Sequence, residues 1–182
     1  MRMLSLAAMV CALIAGCADR RGPDEAAPAT ETPPAAAMLD AVIAGDHRTA
    51  EEKARDAWRH PKETLTFFGV EPDMTVVEIW PGGGWYTKIL APYLASGGGV
   101  YIAAQRDPAS SPRAAEAVQK FKDAYADTAL YGDIRVSVLG DGAEVAPAGT
   151  ADVVLTFRNA HNWMSAGEAE ANFAAFYRAL KP

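Results

Sequence analysis

The stretch Val76-Val77-Glu78-Ile79-Trp80-Pro81-Gly82-Gly83-Gly84-Trp85-Tyr86-Thr87 constrains this chain more than any other. A short, β-rich apolar run ends in an acid, passes into a glycine cluster and continues as a helix-like segment. Glycines at such a turn let the backbone approach a ligand closely, and the helix that follows begins with N–H groups that have no intrahelical partner. An α/β domain builds a small-molecule site in this way, at the carboxyl end of a strand.

The residues on either side agree with that class. Thr49 with Glu52 forms a capping box, and Ala54, Ala57 and Trp58 follow on one side of the helix it opens. Pro61 suits the first turn of a second short helix, with Leu65 and Phe68 on one face and Gly69 just past its end. A strand over 75–80 leads into the glycines. The next helix carries Tyr86, Ile89, Leu90, Tyr93 and Leu94 on one side, and Pro92 is expected to kink it or end it early.

Further strands are predicted over 100–104, 134–139 and 152–157. Ser111-Pro112 opens a helix bearing Val118, Phe121 and Tyr125, and Ser165 with Glu168 caps a last helix bearing Phe173, Phe176, Tyr177 and Leu180. Strands alternating with amphipathic helices imply right-handed crossovers and a parallel sheet covered on both faces, a three-layer α/β fold. Lys181-Pro182 stands where such a helix would turn back into another strand, so the sheet is expected to be incomplete after the fourth strand and its helix.

The termini have other tasks. Arg2 followed by the apolar run Met3 to Ile14 reads as a secretory signal over 1–17, too short to span a membrane as a helix. Its end, Leu13-Ile14-Ala15-Gly16-Cys17, resembles the lipobox of bacterial lipoproteins, which implies lipidation of Cys17 and a membrane anchor in the periplasm or outer envelope. An ordinary signal peptide with a chance cysteine is the alternative. Residues 18–37, rich in Ala, Pro, Glu and Thr, read as a disordered tether, and 38–182 as the folded domain. Cys11 and Cys17 are the only cysteines, so packing without disulfides must hold that domain. A net charge of −6 disfavours a nucleic-acid partner.

Two common glycine loops are excluded by single residues. A dinucleotide fingerprint needs glycine where Thr87 stands, and a P-loop needs Gly-Lys-Ser/Thr where Gly84 is followed by Trp85 and Tyr86. The order of acid and spaced glycines instead resembles motif I of class I S-adenosylmethionine-dependent methyltransferases. Glu78 matches the acid and Gly82 and Gly84 the later glycines, with Gly83 between them, while Trp80 takes the place of the first glycine.

Three later segments continue the resemblance. Gly140-Asp141-Gly142-Ala143-Glu144 with Pro147 looks like the adenine-contacting loop, which points to Asp141 and Gly142. Asp152 to Asn159 looks like the strand that floors the methyl-transfer site, with Asn159 at its end. At the ribose position the family carries a carboxylate, whereas Gln105 stands here, with Asp107 slightly further along. Trp-Pro-Gly-Gly-Gly-Trp-Tyr also resembles a narrower group of predicted bacterial methyltransferases with export signals.

The resemblance implies a Rossmann-like fold, S-adenosylmethionine as cofactor and a methyl acceptor. Asn159-Ala160-His161-Asn162 lacks the paired prolines of the amino-group methylases, so a small or lipid-like acceptor is expected. His161 is the candidate catalytic base, against the plainer role of a histidine that caps backbone or packs beside aromatics. His47 and His60 have no partner at ligand spacing, so no metal site is expected. Trp58, Trp85 and Trp163 either line an acceptor pocket or pack on the sheet. A non-catalytic binding lipoprotein on the same fold, motivated by Trp80 and the missing ribose acid, also remains open, as does a purely structural lipoprotein, which would leave the glycine turn without a role.

Overall fold

A computed structural model describes residues 34–140 and 142–182. The expected signal segment, Cys17, Asp141 and most of the expected tether lie outside the described residues. The first described helix, α1 (Ala35–Ala44), begins within the stretch read as tether.

Helices α2 (Ala50–Ala54), α3 (Asp56–Arg59) and α4 (Pro61–Phe67) precede strand β1 (Thr75–Ile79), and the glycine turn leads to α5 (Thr87–Gly97). Next come β2 (Val100–Arg106), α6 (Pro112–Ala124), α7 (Thr128–Tyr131), β3 (Arg135–Leu139) and β4 (Val153–Thr156). Helices α8 (Ala160–Ala166) and α9 (Ala169–Ala179) follow. All pairings are parallel, in the order β3-β2-β1-β4, with Glu78 of β1 opposite Ala103 of β2 and Leu155 of β4.

The strands alternate between two cores, as a sheet buried on both faces requires. Val76, Tyr101, Ala103 and Leu155 face α1, α4 and α5, with Phe121 and Tyr131 from α6 and α7. Val77, Ile79, Ile102 and Ala104 face Trp163 of α8 and Phe176 and Ala179 of α9. The domain is a three-layer, Rossmann-like α/β fold.

Several local expectations hold to the atom. Thr49 Oγ1 accepts from the Glu52 N–H at 3.3 Å, and the Glu52 carboxylate accepts from the Thr49 N–H at 2.9 Å. Pro61 opens α4, and Gly69 follows its C-cap at φ +66°. Ser111 Oγ caps α6.

Others are corrected. The helix after the capping box breaks at Arg55 into α2 and α3, and Trp58 is 85% exposed. Ser165 lies inside α8, its hydroxyl donating to the His161 carbonyl, and α9 has no side-chain cap. The buried stripe of α9 is Ala175, Phe176 and Ala179, while Phe173 and Tyr177 are exposed. Past α9, Leu180 makes one parallel bridge to Ala151 beside the start of β4.

Pro92 does not end α5, which runs five residues further. Proline leaves the carbonyl of residue i−4 without its helical donor. That carbonyl, Lys88 C=O, accepts instead from His47 Nε2 at 2.8 Å. His47→Ala is expected to cost about 1–2 kcal/mol by urea denaturation, and a markedly smaller amount when Pro92 is also replaced by Ala, which restores the backbone donor. An equal cost in both backgrounds would assign His47 a packing role only.

Candidate functional site

The site lies where the parallel sheet changes direction. From β1 the chain winds to β2 and β3 on one side, and β4 lies on the other, so the carboxyl ends of β1 and β4 diverge into a crevice. A cavity of about 360 Å³ occupies it, lined by Glu78, Trp80, Gly82 and Gly83 from the end of β1 and by Phe157 and Asn159 beyond β4. This loop cavity falls in the size range of small-molecule sites.

Glu78 is buried beneath the loop, where Tyr101 of β2 and Thr87 at the start of α5 donate their hydroxyls to Oε2. Desolvation pushes its pKa up to about 7, against the opposing pull of those two hydrogen bonds and of Arg59. One side chain thereby joins β1, β2 and the helix that follows the glycines.

The three glycines divide by role. Gly82 (φ +60°) and Gly83 have open space where a Cβ would stand. At Gly84 (φ +75°) a Cβ would lie 1.8 Å from the Tyr125 hydroxyl, which donates to the Gly84 carbonyl at 3.1 Å. Packing against α6 therefore explains Gly84, and only Gly82 and Gly83 line the cavity.

Trp80 departs from the glycine pattern in side chain but not in backbone. Its φ of +49° lies in the left-handed region that glycine occupies freely, a conformation costing a bulky residue on the order of 1–3 kcal/mol. The indole packs edge-on to Trp163 at 5.4 Å, and the Arg106 guanidinium lies 3.6 Å from its ring centre. It borders both the loop cavity and a wider one of about 530 Å³ at the ends of β2 and β3.

The wider cavity takes in Gly142, expected from sequence, together with Arg106, Asp107 and Gly140. Asp107 accepts from the Ala109 N–H and caps a single 3₁₀ turn. Gln105 is buried at the end of β2, and its Nε2 has no hydrogen-bond partner among the described residues. Asn159 donates to the carbonyl of Ile79 at 3.1 Å and to Thr156 Oγ1 at 3.2 Å, tying the ends of β1 and β4 together. His161 is exposed on the first turn of α8 and borders neither cavity.

Beside the loop stands a cationic wall that no motif in the sequence marks. Arg55, Arg59 and Arg158 line a third cavity, of about 390 Å³, with Trp58, Tyr86 and Phe157. It shares Arg55, Arg59, Tyr86 and Phe157 with the loop cavity. Desolvation, then Arg55 and Arg158, pull the Arg59 pKa below its usual value. The only signals for this wall are the i, i+4 spacing of Arg55 and Arg59 and the place of Arg158 two residues after β4. Of the four tryptophans, Trp58 alone lines this cavity. Trp85 is buried with its Nε1 donating to the Glu52 carbonyl, and Trp163 is buried in the core under the sheet.

No family model matches the chain, and no curated protein does. Among solved structures it is similar to an S-adenosylmethionine-dependent methyltransferase of Aquifex aeolicus, at 21% identity and a TM-score of 0.47 over 67% of this chain and 58% of that one. It is also similar to a proposed S-adenosyl-L-methionine-dependent methyltransferase of Methanococcus maripaludis, at 22% identity and a TM-score of 0.44 over 67% and 49%. The chain thus spans about half to three-fifths of the lengths of these two proteins.

Glu78 gives the site a pH signature. A carboxyl whose folded pKa of about 7 exceeds its ordinary 4.5 contributes stability that is complete below pH 4.5 and lost as pH rises towards 7. Above that range the ionised group costs on the order of 3 kcal/mol. Glu78→Gln keeps an oxygen for both hydroxyls and is expected to be the more stable protein at about pH 8, with no such advantage at about pH 4. Urea midpoints that differ equally at both pH values would contradict this.

Proposed function

We propose that the chain forms the cofactor-binding part of an S-adenosylmethionine-dependent methyltransferase acting on a small or lipid-like acceptor. The observation that carries this reading is the position of the Gly82-Gly83 loop, which opens into a cavity at the switch point between β1 and β4. The motif resemblance places the cofactor at the same loop.

The residues present fit the group at the glycine loop. Gly82 and Gly83 leave room for close backbone approach, while Gln105, at the ribose position of the motif, is buried and lines neither cavity, its Nε2 a donor without a partner among the described residues. Gly140 and Gly142 would border the adenine in the wider cavity. When bound, the group supplies an electrophilic methyl carbon on a positively charged sulfur. The protein's own contribution is then placement and electrostatics. Glu78 fixes the loop from below, Asn159 fixes the two strand ends, and the stacked rings of Tyr86 and Phe157, 3.7 Å apart, border both the loop cavity and the arginine cavity.

A second reading, a binding module without methyl transfer, is favoured by Trp80, whose indole stands between the two cavities that the cofactor would have to bridge, and by the exposure of His161. Methyl transfer from labelled donor would reject it.

Gly83 provides the direct test, since its φ is not left-handed and a Cβ there would have open space around it, with no atom within 4 Å. Gly83→Val is expected to melt within a few degrees of the parent and to weaken S-adenosylmethionine binding, measured by calorimetry, roughly 30-fold or more, the equivalent of about 2 kcal/mol. No binding to the parent, or equal binding to both proteins, would overturn the assignment.

We further propose, on the leader sequence alone, that the protein is exported and anchored through Cys17. Radiolabelled palmitate incorporated by cells making the parent, and absent with Cys17→Ser, is the expected result. Label retained in the variant would reject the anchor.

A further inference from the structure

The arginine cavity has a composition at odds with the rest of the chain. The protein carries a net charge of −6, yet three guanidiniums and three aromatic rings line this cavity, with no carboxylate among them. Among the described residues, no carboxylate oxygen lies within 4 Å of Arg55, Arg59 or Arg158, whereas Arg48, Lys53, Lys62, Lys88 and Lys181 each meet one. Like charges gathered with no carboxylate in contact repel one another, and a bound anion reverses that repulsion.

The wall is also held ready. The Arg59 guanidinium lies 4.7 Å from the ring centre of Trp85 and 5.9 Å from that of Tyr86, which fixes its position. Arg158 takes a left-handed backbone, φ +62°, two residues beyond β4. Trp58 leaves 85% of its surface open, and Tyr86 stacks on Phe157 within 10° of parallel. Flat apolar surface beside a ring-held guanidinium and two further arginines matches one chemistry: a planar body bearing an acidic group.

We propose that the Arg55-Arg59-Arg158 cavity binds a small planar organic anion, a carboxylate on an aromatic or conjugated body, and serves as the acceptor subsite. At about 390 Å³ it matches a small molecule. Arg55 and Arg59 also border the loop cavity, so Arg158 and Trp58 are the residues that distinguish this subsite from the cofactor's. The acceptor role rests on the methyltransferase reading, while the binding of the anion does not.

The test is calorimetric titration of the full chain with 2-naphthoate and with 2-naphthamide, which share a flat body and differ in charge. Naphthoate is expected to bind at least about tenfold more tightly, the worth of one charge-assisted hydrogen bond. Arg158→Gln is expected to remove most of that difference, Trp58→Ala to weaken both ligands, and Arg178→Gln, in the wider cavity, to change neither. Arg158 and Trp58 are both exposed, so their variants are expected to melt with the parent. Equal affinity for the two ligands, no naphthoate binding, wild-type affinity in Arg158→Gln, or inorganic phosphate binding as tightly as naphthoate would each overturn the proposal.

S-adenosylmethionine titrated into the same proteins separates the two claims. Charge-dependent naphthoate binding without donor binding would uphold the anion site and reject the methyltransferase reading. Donor binding with indifference to the naphthoate charge would reject the anion site alone.

Discussion

A carboxyl group removed from water under a glycine turn is the constraint on which the rest of this structure depends. Glu78 can sit there only because hydroxyls from β2 and from the first residue of α5 meet the same oxygen. Those contacts fix the angle at which the chain leaves β1 and enters the helix, and so the opening beside Gly82 and Gly83. The same burial makes the group weakly acidic, so the site holds a carboxyl near its ionisation point rather than a permanent charge. A cationic ligand beside it would favour the ionised form.

The position of the crevice follows from topology rather than from any one side chain. With β2 and β3 on one side of β1 and β4 on the other, the loops after β1 and β4 part and leave space between them. Asn159 bridges the parting strands without closing the gap, because it spans the backbone at the floor. Tyr125 braces the far side of the loop through Gly84. The loop is therefore held from below and from behind, and it is free only towards the cavity.

Features written in short spacing were legible in the sequence, and features made by distant segments meeting were not. The Thr49-Glu52 box, Pro61 at a helix start, Gly69 at a helix end and the strand before the glycines all depend on residues a few positions apart. Pro92 misled because its rescue comes from His47, on a separate segment. Gly84 resembled a ligand glycine because Tyr125, the residue that requires it, lies far along the chain. The arginine wall needed α2, α3 and the end of β4 to be brought together, which no local pattern records. The face of α9 was legible only in part: Phe176 is buried as its spacing suggests, but Ala175 and Ala179 share that face, and Phe173 and Tyr177 are exposed. His161 illustrates the same limit, since a position after the fourth strand does not determine which way the following helix turns its first residues.

The short helices α2 and α3 bury none of their residues. They are fastened by Arg48 to Asp56, by Lys88 to Glu52 and by the Trp85 indole to the Glu52 carbonyl. Apolar burial holds the sheet, whereas this layer is held by charge, so the two respond to different solvents. The Arg48 side chain is fully covered and the Glu52–Lys88 pair is about four-fifths covered, so electrolyte screens these contacts less than it would surface pairs. Two of the three guanidiniums ride on that layer. The wall of the crevice thus depends on a few shielded polar contacts, and losing any one of them would move it without touching the core.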